Sequence, residues 1–374
     1  MKAKKLAWLW VWLTLLSTSA VQAGELKESD VATLEKSLQA GIEFLRTKGV
    51  AQDGSYSRQA GIGVTALVTT SLLRNGVPPT DPVAAKSLSY IAQHAQPDGG
   101  IYQPGSRLKN YETCLAVICL EEANRNGKYD AIIKRADAYL KGLQGSEQNG
   151  MDISDLGYGG AGYGSDSRAD LSNTNFLIDA LRATGNDANS EAIQRALIFV
   201  SRCQNLETEH NTTPFAAKNP DGGFYYTPVG EGGSPAGKTA NGGLRSYGAM
   251  TYAGLKSMIF AGVGPEDPRV KAAISWIQKH YDLESNPGLG NAGLYYYYHL
   301  FAKALDALGQ DEIVDAEGQT HNWRSELIAE LASRQQADGS WVNTNHQWFE
   351  GDANLVTGYA LLTLSYCKPK SLDK

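Results

Sequence analysis

The sequence predicts an all-α fold in which helix pairs form an inner and an outer ring, an α/α toroid. Three observations carry that expectation. A short Asp-Gly-Gly/Ser-aromatic loop recurs along the chain. Each copy lies between two stretches with apolar residues at i, i+3, i+4 and i+7, the helical period. No segment sustains the period-2 alternation of a paired strand.

The clearest loops are Asp53-Gly54-Ser55-Tyr56, Asp98-Gly99-Gly100-Ile101-Tyr102, Asp221-Gly222-Gly223-Phe224 and Asp338-Gly339-Ser340-Trp341. Degenerate copies stand at Asp155-Leu156-Gly157-Tyr158 and Asn286-Pro287-Gly288-Leu289. The stretches before the loops are Lys86 to Gln96, Ile132 to Gln144, Ile193 to Gln204, Val270 to Gln278 and Leu327 to Gln336. They carry Lys, Arg and Glu on one face, as an outer ring exposed to water should. The stretches after the loops are Ile62 to Leu73, Tyr111 to Ala123, Leu171 to Leu181, Tyr247 to Phe260, Leu294 to Leu308 and Asn354 to Leu364. They are poor in charge and rich in small and aromatic residues, as an inner wall should be. The 40 glycines gather in the loops, where positive φ is needed. About six helix-loop-helix units result.

A different segment precedes the first unit. Lys2, Lys4 and Lys5 lead an apolar run from Leu6 to Leu16, and Val21-Gln22-Ala23 has small residues in a cleavage pattern. Residues 1–23 therefore read as a signal peptide and 24–374 as one domain of an exported protein, periplasmic or secreted. The apolar run falls short of the roughly 20 residues of a membrane span, and no later stretch approaches one. Formal charge is −6, and loss of the leader lysines makes the mature chain more acidic. Nucleic acid and anionic membrane faces are poor partners for such a surface. Of the four cysteines, Cys114 and Cys119 point to different faces of one helix, and no zinc-type spacing occurs. They read as small buried hydrophobes, and no metal or cofactor is expected.

The stretch from Leu331 through Gln335-Gln336-Ala337-Asp338-Gly339-Ser340-Trp341 resembles the Gln-Trp motif of squalene–hopene cyclases. Through the repeat, nearly the whole mature chain resembles squalene cyclases and protein prenyltransferase β subunits, the terpenoid cyclase/prenyltransferase family. The resemblance implies ring closure by about six units. It also implies a central cavity and a Gln that caps a helix end, stacks on the Trp and ties outer helices together. One fold hosts many chemistries, so activity has to follow from sites.

Class II cyclases protonate an alkene with the middle acid of an Asp-x-Asp-Asp-Thr motif. In the matching stretch here, Asp170 takes the first position and Thr174 the last, while Ser172 stands where the proton donor would be and Asn173 replaces the final Asp. A serine hydroxyl does not protonate an alkene. The prenyltransferase zinc ligands are also missing: Leu244-Arg245-Ser246-Tyr247 and Asp352-Ala353-Asn354-Leu355 supply neither the Asp/Cys pair nor the His. The Cys-Gly-Glu-Gln element of thioester toroids does not occur. The expectation is an exported toroid with a central cavity of divergent function and a hydrophobic isoprenoid or glycan as ligand. Two alternatives stay open: an enzyme with Asp170 as acid or base, and a non-catalytic binding or scaffold module.

The candidate acid-base pair is Asp166 and Asp170, four apart at the start of the third inner helix, with helix capping by Asp170 as the structural alternative. Ser172 and Asn173 are candidates for a polar pocket floor, and Tyr247 opens the next inner helix. Tyr295, Tyr296, Tyr297 and Tyr298 cover every side of their helix, so one or two face the axis. Tyr295, Tyr298 and His299 are taken as ligand contacts, with packing between the rings as the alternative. The loop from Asn343 to Asp352 adds Trp348, Glu350 and Asp352, of which Asp352 also suits a helix cap. His321-Asn322-Trp323-Arg324 is a second polar-aromatic segment. The insertion from Asn205 to Gly243 reads either as a flap over one end of the barrel or as a loose loop.

Overall fold

The computed structural model describes residues 26–164 and 167–368, so the leader segment 1–23 and Asp166 lie outside it. Twelve α-helices occur among the described residues. They are α1 (Glu28–Phe44), α2 (Ile62–Arg74), α3 (Pro82–Gln93), α4 (Lys109–Glu122), α5 (Asp130–Leu143) and α6 (Leu171–Ala183). The second half comprises α7 (Glu191–Arg202), α8 (Gly248–Phe260), α9 (Pro268–Lys279), α10 (Leu294–Leu308), α11 (Trp323–Arg334) and α12 (Ala353–Ser365). The even helices pack side by side in the cyclic order α2, α4, α6, α8, α10, α12 and back to α2. The odd helices pack outside them, and α1, the first outer helix, meets α11, the last. The double ring is closed, as the repeat predicts.

Composition separates the two rings. Helix α2 is buried without a break from Ile62 to Leu72, and α8 from Gly248 to Met258. A helix apolar on every side can only sit between other elements. Helix α5 buries Ile133, Ala136 and Leu140, a single stripe at i, i+3 and i+7. No described helix is long and apolar enough to cross a membrane.

The repeated loop works as a fastener. The Asp side chain accepts the backbone N–H two residues on, at 3.0 Å for Asp53, Asp98 and Asp221 and 3.1 Å for Asp338. That Asx turn delivers a glycine in the left-handed region against the next outer helix. At Gly99 φ is +99°, and a Cβ there would meet the Arg135 carbonyl oxygen at 2.8 Å. The apolar residue that follows donates its N–H to a threonine near the start of the next inner helix. The pairs are Tyr56–Thr65 (2.9 Å), Ile101–Thr113 (3.1 Å), Phe224–Thr251 (3.1 Å) and Trp341–Thr357 (3.1 Å). Ala161 donates to Thr174 in the same way at 3.0 Å. The third loop is therefore Tyr158–Ala161 and not Asp155–Tyr158: this copy has lost its Asp but keeps Gly159 (φ +81°) against the Arg195 carbonyl.

Glutamines join consecutive outer helices. Gln144 donates to the Gly159 and Ala192 carbonyls, and Gln204 to those of Gly222 and Arg269. Gln335 donates to Gly339 and, at 3.0 Å, to Ser37 on α1, sewing the last outer helix to the first.

The departures from expectation are local. A small antiparallel hairpin, β1 (Glu312–Val314) with β2 (Thr320–Asn322), lies between α10 and α11. Its three-residue strands are too short to show an alternation. In the segment that follows, His321 bridges Asp315 and Glu326, and Arg324 pairs with Asp306 and Asp311. The 205–243 insertion folds against the toroid, with a small core of Phe215, Tyr225 and Leu244. Thr227 bonds the Ala169 carbonyl and the Tyr226 carbonyl accepts the Leu171 N–H, which fixes the insertion beside the start of α6. All four cysteines are free and buried.

Candidate functional site

Five of the six inner helices, α2, α4, α6, α8 and α12, take a fastener bond near their N-termini, which lie on one rim (the upper), with the C-termini on the other. Free N–H groups and the positive dipole ends at the upper rim call for carboxylates. Asp352 accepts the Leu355 N–H at 2.9 Å and the Ser57 hydroxyl at 2.8 Å. Glu350 is buried and accepts the N–H groups of Tyr296 (2.8 Å) and Tyr295 (3.3 Å) and the Asn343 amide (2.6 Å). Burial pushes its carboxyl above the usual range, and these bonds only partly offset that. Glu350 and Asp352 thus cap α10 and α12. Sequence spacing concealed the Glu350 cap because Glu350 belongs to a loop and the helix residues it caps come 54 and 55 positions earlier in the chain.

Asp170 caps its own helix. Its two oxygens accept the Asn173 backbone N–H and side-chain amide, both at 2.8 Å. Burial raises its pKa, and hydrogen bonds from Asn173 and the Tyr226 hydroxyl restrain the rise to about 6. Tyr226 comes from the insertion, a partner that sequence separation hid. Tyr247 is buried at the start of α8, where its N–H bonds the Phe224 carbonyl, and its ring lies within electrostatic reach of Asp170 and Tyr296.

Ser172 is half-buried, and its hydroxyl shares a 2.9 Å hydrogen bond with Tyr296. Tyr296 stacks on Phe176 (ring centroids 6.0 Å apart), Phe176 meets Tyr111 edge-on (5.2 Å), and Tyr296 packs on Tyr359 (5.8 Å). One side chain each from α4, α6, α10 and α12 thus forms an aromatic layer across the barrel. Of the four consecutive tyrosines, Tyr296 is the one in the lumen. Tyr298 turns the other way, its hydroxyl donating to the Leu283 carbonyl and lying near Glu330 of α11. Tyr295 packs edge-on against Tyr298. Both take part in the packing between the rings, as the rotation of α10 dictates. Trp348 and Phe349 are 49% and 62% exposed with φ of 53° and 65°, and Trp348 covers Gly293 at the head of α10.

The lower half of the lumen holds a cluster the sequence reading passed over. Asp179 of α6 accepts from Lys256 of α8 at 2.5 Å and from Lys303 of α10 at 2.6 Å. Lys256 is fully buried. Burial drives its pKa down to about 7, with Asp179 opposing. Burial alone would raise Asp179, but the two ammonium groups outweigh it and hold the carboxyl at about 2. A cavity of about 30 Å³ lies beside the cluster, lined by Lys303, His299, Asp179, Arg74 and Thr70 among others. The available signal was three charges in otherwise charge-poor inner stretches.

Residues 59–227 match the model of the squalene-hopene cyclase C-terminal domain. No curated protein matches the sequence significantly. Among solved structures, a variant of the type II terpene cyclase MstE from Scytonema, in complex with its product merosterolic acid A, is similar over 91% of this chain and 99% of that one, with 16% identity and a TM-score of 0.54. A second MstE variant, without ligand, has 15% identity and a TM-score of 0.56 over 91% and 98% of the two chains. A glycosidase variant in complex with glucose has 12% identity and a TM-score of 0.54 over 92% and 99%. At these identities the likeness is one of fold.

Proposed function

We propose that this squalene-cyclase-like toroid is an exported protein that binds a largely apolar, isoprenoid-type ligand at the aromatic layer of its lumen and does not protonate it as a class II cyclase would. The Ser172–Tyr296 hydrogen bond within that layer carries the reading. It puts a hydroxyl where the proton donor of a cyclase would stand, surrounded by the rings of Phe176, Tyr111 and Tyr359. Aromatic faces offer large apolar area in fixed orientation, which suits a branched hydrocarbon chain. The terpene cyclase fold of the neighbour that holds merosterolic acid A supports the same class of ligand.

The raised pKa of Asp170 favours a second reading, an acid-base enzyme acting on an isoprenoid or a glycan. A buried carboxyl near pH 6 exchanges protons readily under mild conditions. The glycosidase fold neighbour supports the glycan branch.

Purified mature protein titrated with squalene and geranylgeraniol, followed by intrinsic fluorescence and by gas chromatography–mass spectrometry, separates the readings. Saturable binding weakened at least tenfold in Tyr296→Ala, with no new product, is the expected result. Absence of binding up to the solubility limit would sink the ligand reading. A converted isoprenoid, lost in Asp170→Asn, would replace it with the enzymatic one.

A further inference from the structure

The lower cluster has no part in the proposal above, and its charges do not balance. Two ammonium groups, Lys256 and Lys303, share the single Asp179 carboxylate. The neighbouring Arg74 guanidinium is already occupied by Glu122 at 2.9 Å and by the Tyr366 hydroxyl at 2.8 Å. Burial brings Lys256 to a pKa of about 7, so it is charged only part of the time, and up to one positive charge is left over beside a cavity, whereas buried charges are ordinarily paired. Lys303 gives Asp179 one of its three N–H donors and lines that cavity. His299 lines it too, is 7% exposed, and its buried Nδ1 has no hydrogen-bond partner.

We propose that the lower end of the lumen is a binding site for one small oxyanion, a carboxylate or phosphate group, held by Lys303 and His299. The ammonium supplies charge and hydrogen bonds, and the orphaned imidazole nitrogen supplies a further donor as the Nδ1–H tautomer. Burial and the nearby Lys303 hold His299 well below its ordinary pKa, so it acts as a neutral donor. A cavity of about 30 Å³ suits a compact anionic group. Leu67, Leu115, Phe176 and Leu362 form the apolar remainder of the wall. The anion is therefore either free or the acid end of a ligand whose chain lies in the lumen. This inference does not rest on the apolar-ligand reading, because inorganic probes test it alone.

Calorimetric titration of mature protein with phosphate, acetate and decanoate at constant ionic strength tests it. Lys303→Met and His299→Phe serve as variants, and Lys303→Met leaves Asp179 paired with Lys256. We expect saturable binding of phosphate or acetate, weakened at least tenfold in Lys303→Met and measurably in His299→Phe. Squalene binding should be unchanged in Lys303→Met. Decanoate at least tenfold tighter than acetate would identify the acid end of a chain-bearing ligand; equal affinities would identify a free anion. Either result supports the site. No binding of any of the three by wild-type protein, or affinities within twofold of wild type in both variants, would overturn it. Should Lys303→Met fail to fold, His299→Phe decides by the same criterion.

Discussion

Asp170 combines two demands that usually conflict: it caps a helix, which favours the carboxylate, and it is buried, which favours the acid. Burial prevails, and the folded pKa of about 6 stands above the ordinary 3.8. The folded state therefore holds this proton at pH values where the unfolded chain has released it. The associated stability is fully present below pH ~4 and is lost as pH rises through about 6, with a slope of at most about 1.4 kcal/mol per pH unit. Asp170→Asn should flatten that part of the pH–stability curve while keeping the cap, as measured by urea unfolding between pH 4 and 7. An unchanged slope would remove Asp170 as its source. Asp170, Ser172 and Asn173 were visible in the sequence because they lie in one helical turn. Tyr226 and Tyr111 were not, since only the closed ring brings them beside that turn or its lumen face.

At the scale of the element, the fastener loop explains why glycine recurs even where the aspartate does not. In the third copy Asp is absent, yet Gly159 lies against the Arg195 carbonyl at φ +81° because the loop approaches the next outer helix, α7, closely there. Gly159→Ala should therefore cost about 1–3 kcal/mol or more, from strained backbone together with steric overlap. Gly185→Ala has the same sign of φ but nothing within 4 Å, so it should cost clearly less. Thermal melts of the two variants separate the contributions, and equal losses would show that overlap matters little. Loop spacing in the sequence revealed the helices and their order. It missed the threonine that each loop engages, because a threonine in an apolar helix looks like any small inner-wall residue.

For the whole molecule, closure depends on one seam. Helices α11 and α1 are far apart in sequence, and Gln335 bridges them through the Ser37 carbonyl. Gln335→Ala should destabilise the protein by about 1–3 kcal/mol, the usual cost of orphaning partly buried hydrogen-bonding groups. Because α1 packs against α11 at this seam, the same variant should also speed proteolysis of α1. Unaltered stability together with unaltered proteolysis would mean that the seam holds without this bridge. By itself the sequence determined the all-helical class, the number of repeats and which helix of each pair lies inside, since periodicity and the distribution of charge are local properties of the chain. Only the tertiary structure decided that Tyr296 and not Tyr295 or Tyr298 faces the axis, that Glu350 caps a helix from an earlier repeat, and that Asp179 gathers Lys256 and Lys303. The reason is geometric: the rotation of a helix about its axis and the meeting of residues about 80 to 120 positions apart are set when the ring closes and each inner face finds its neighbour.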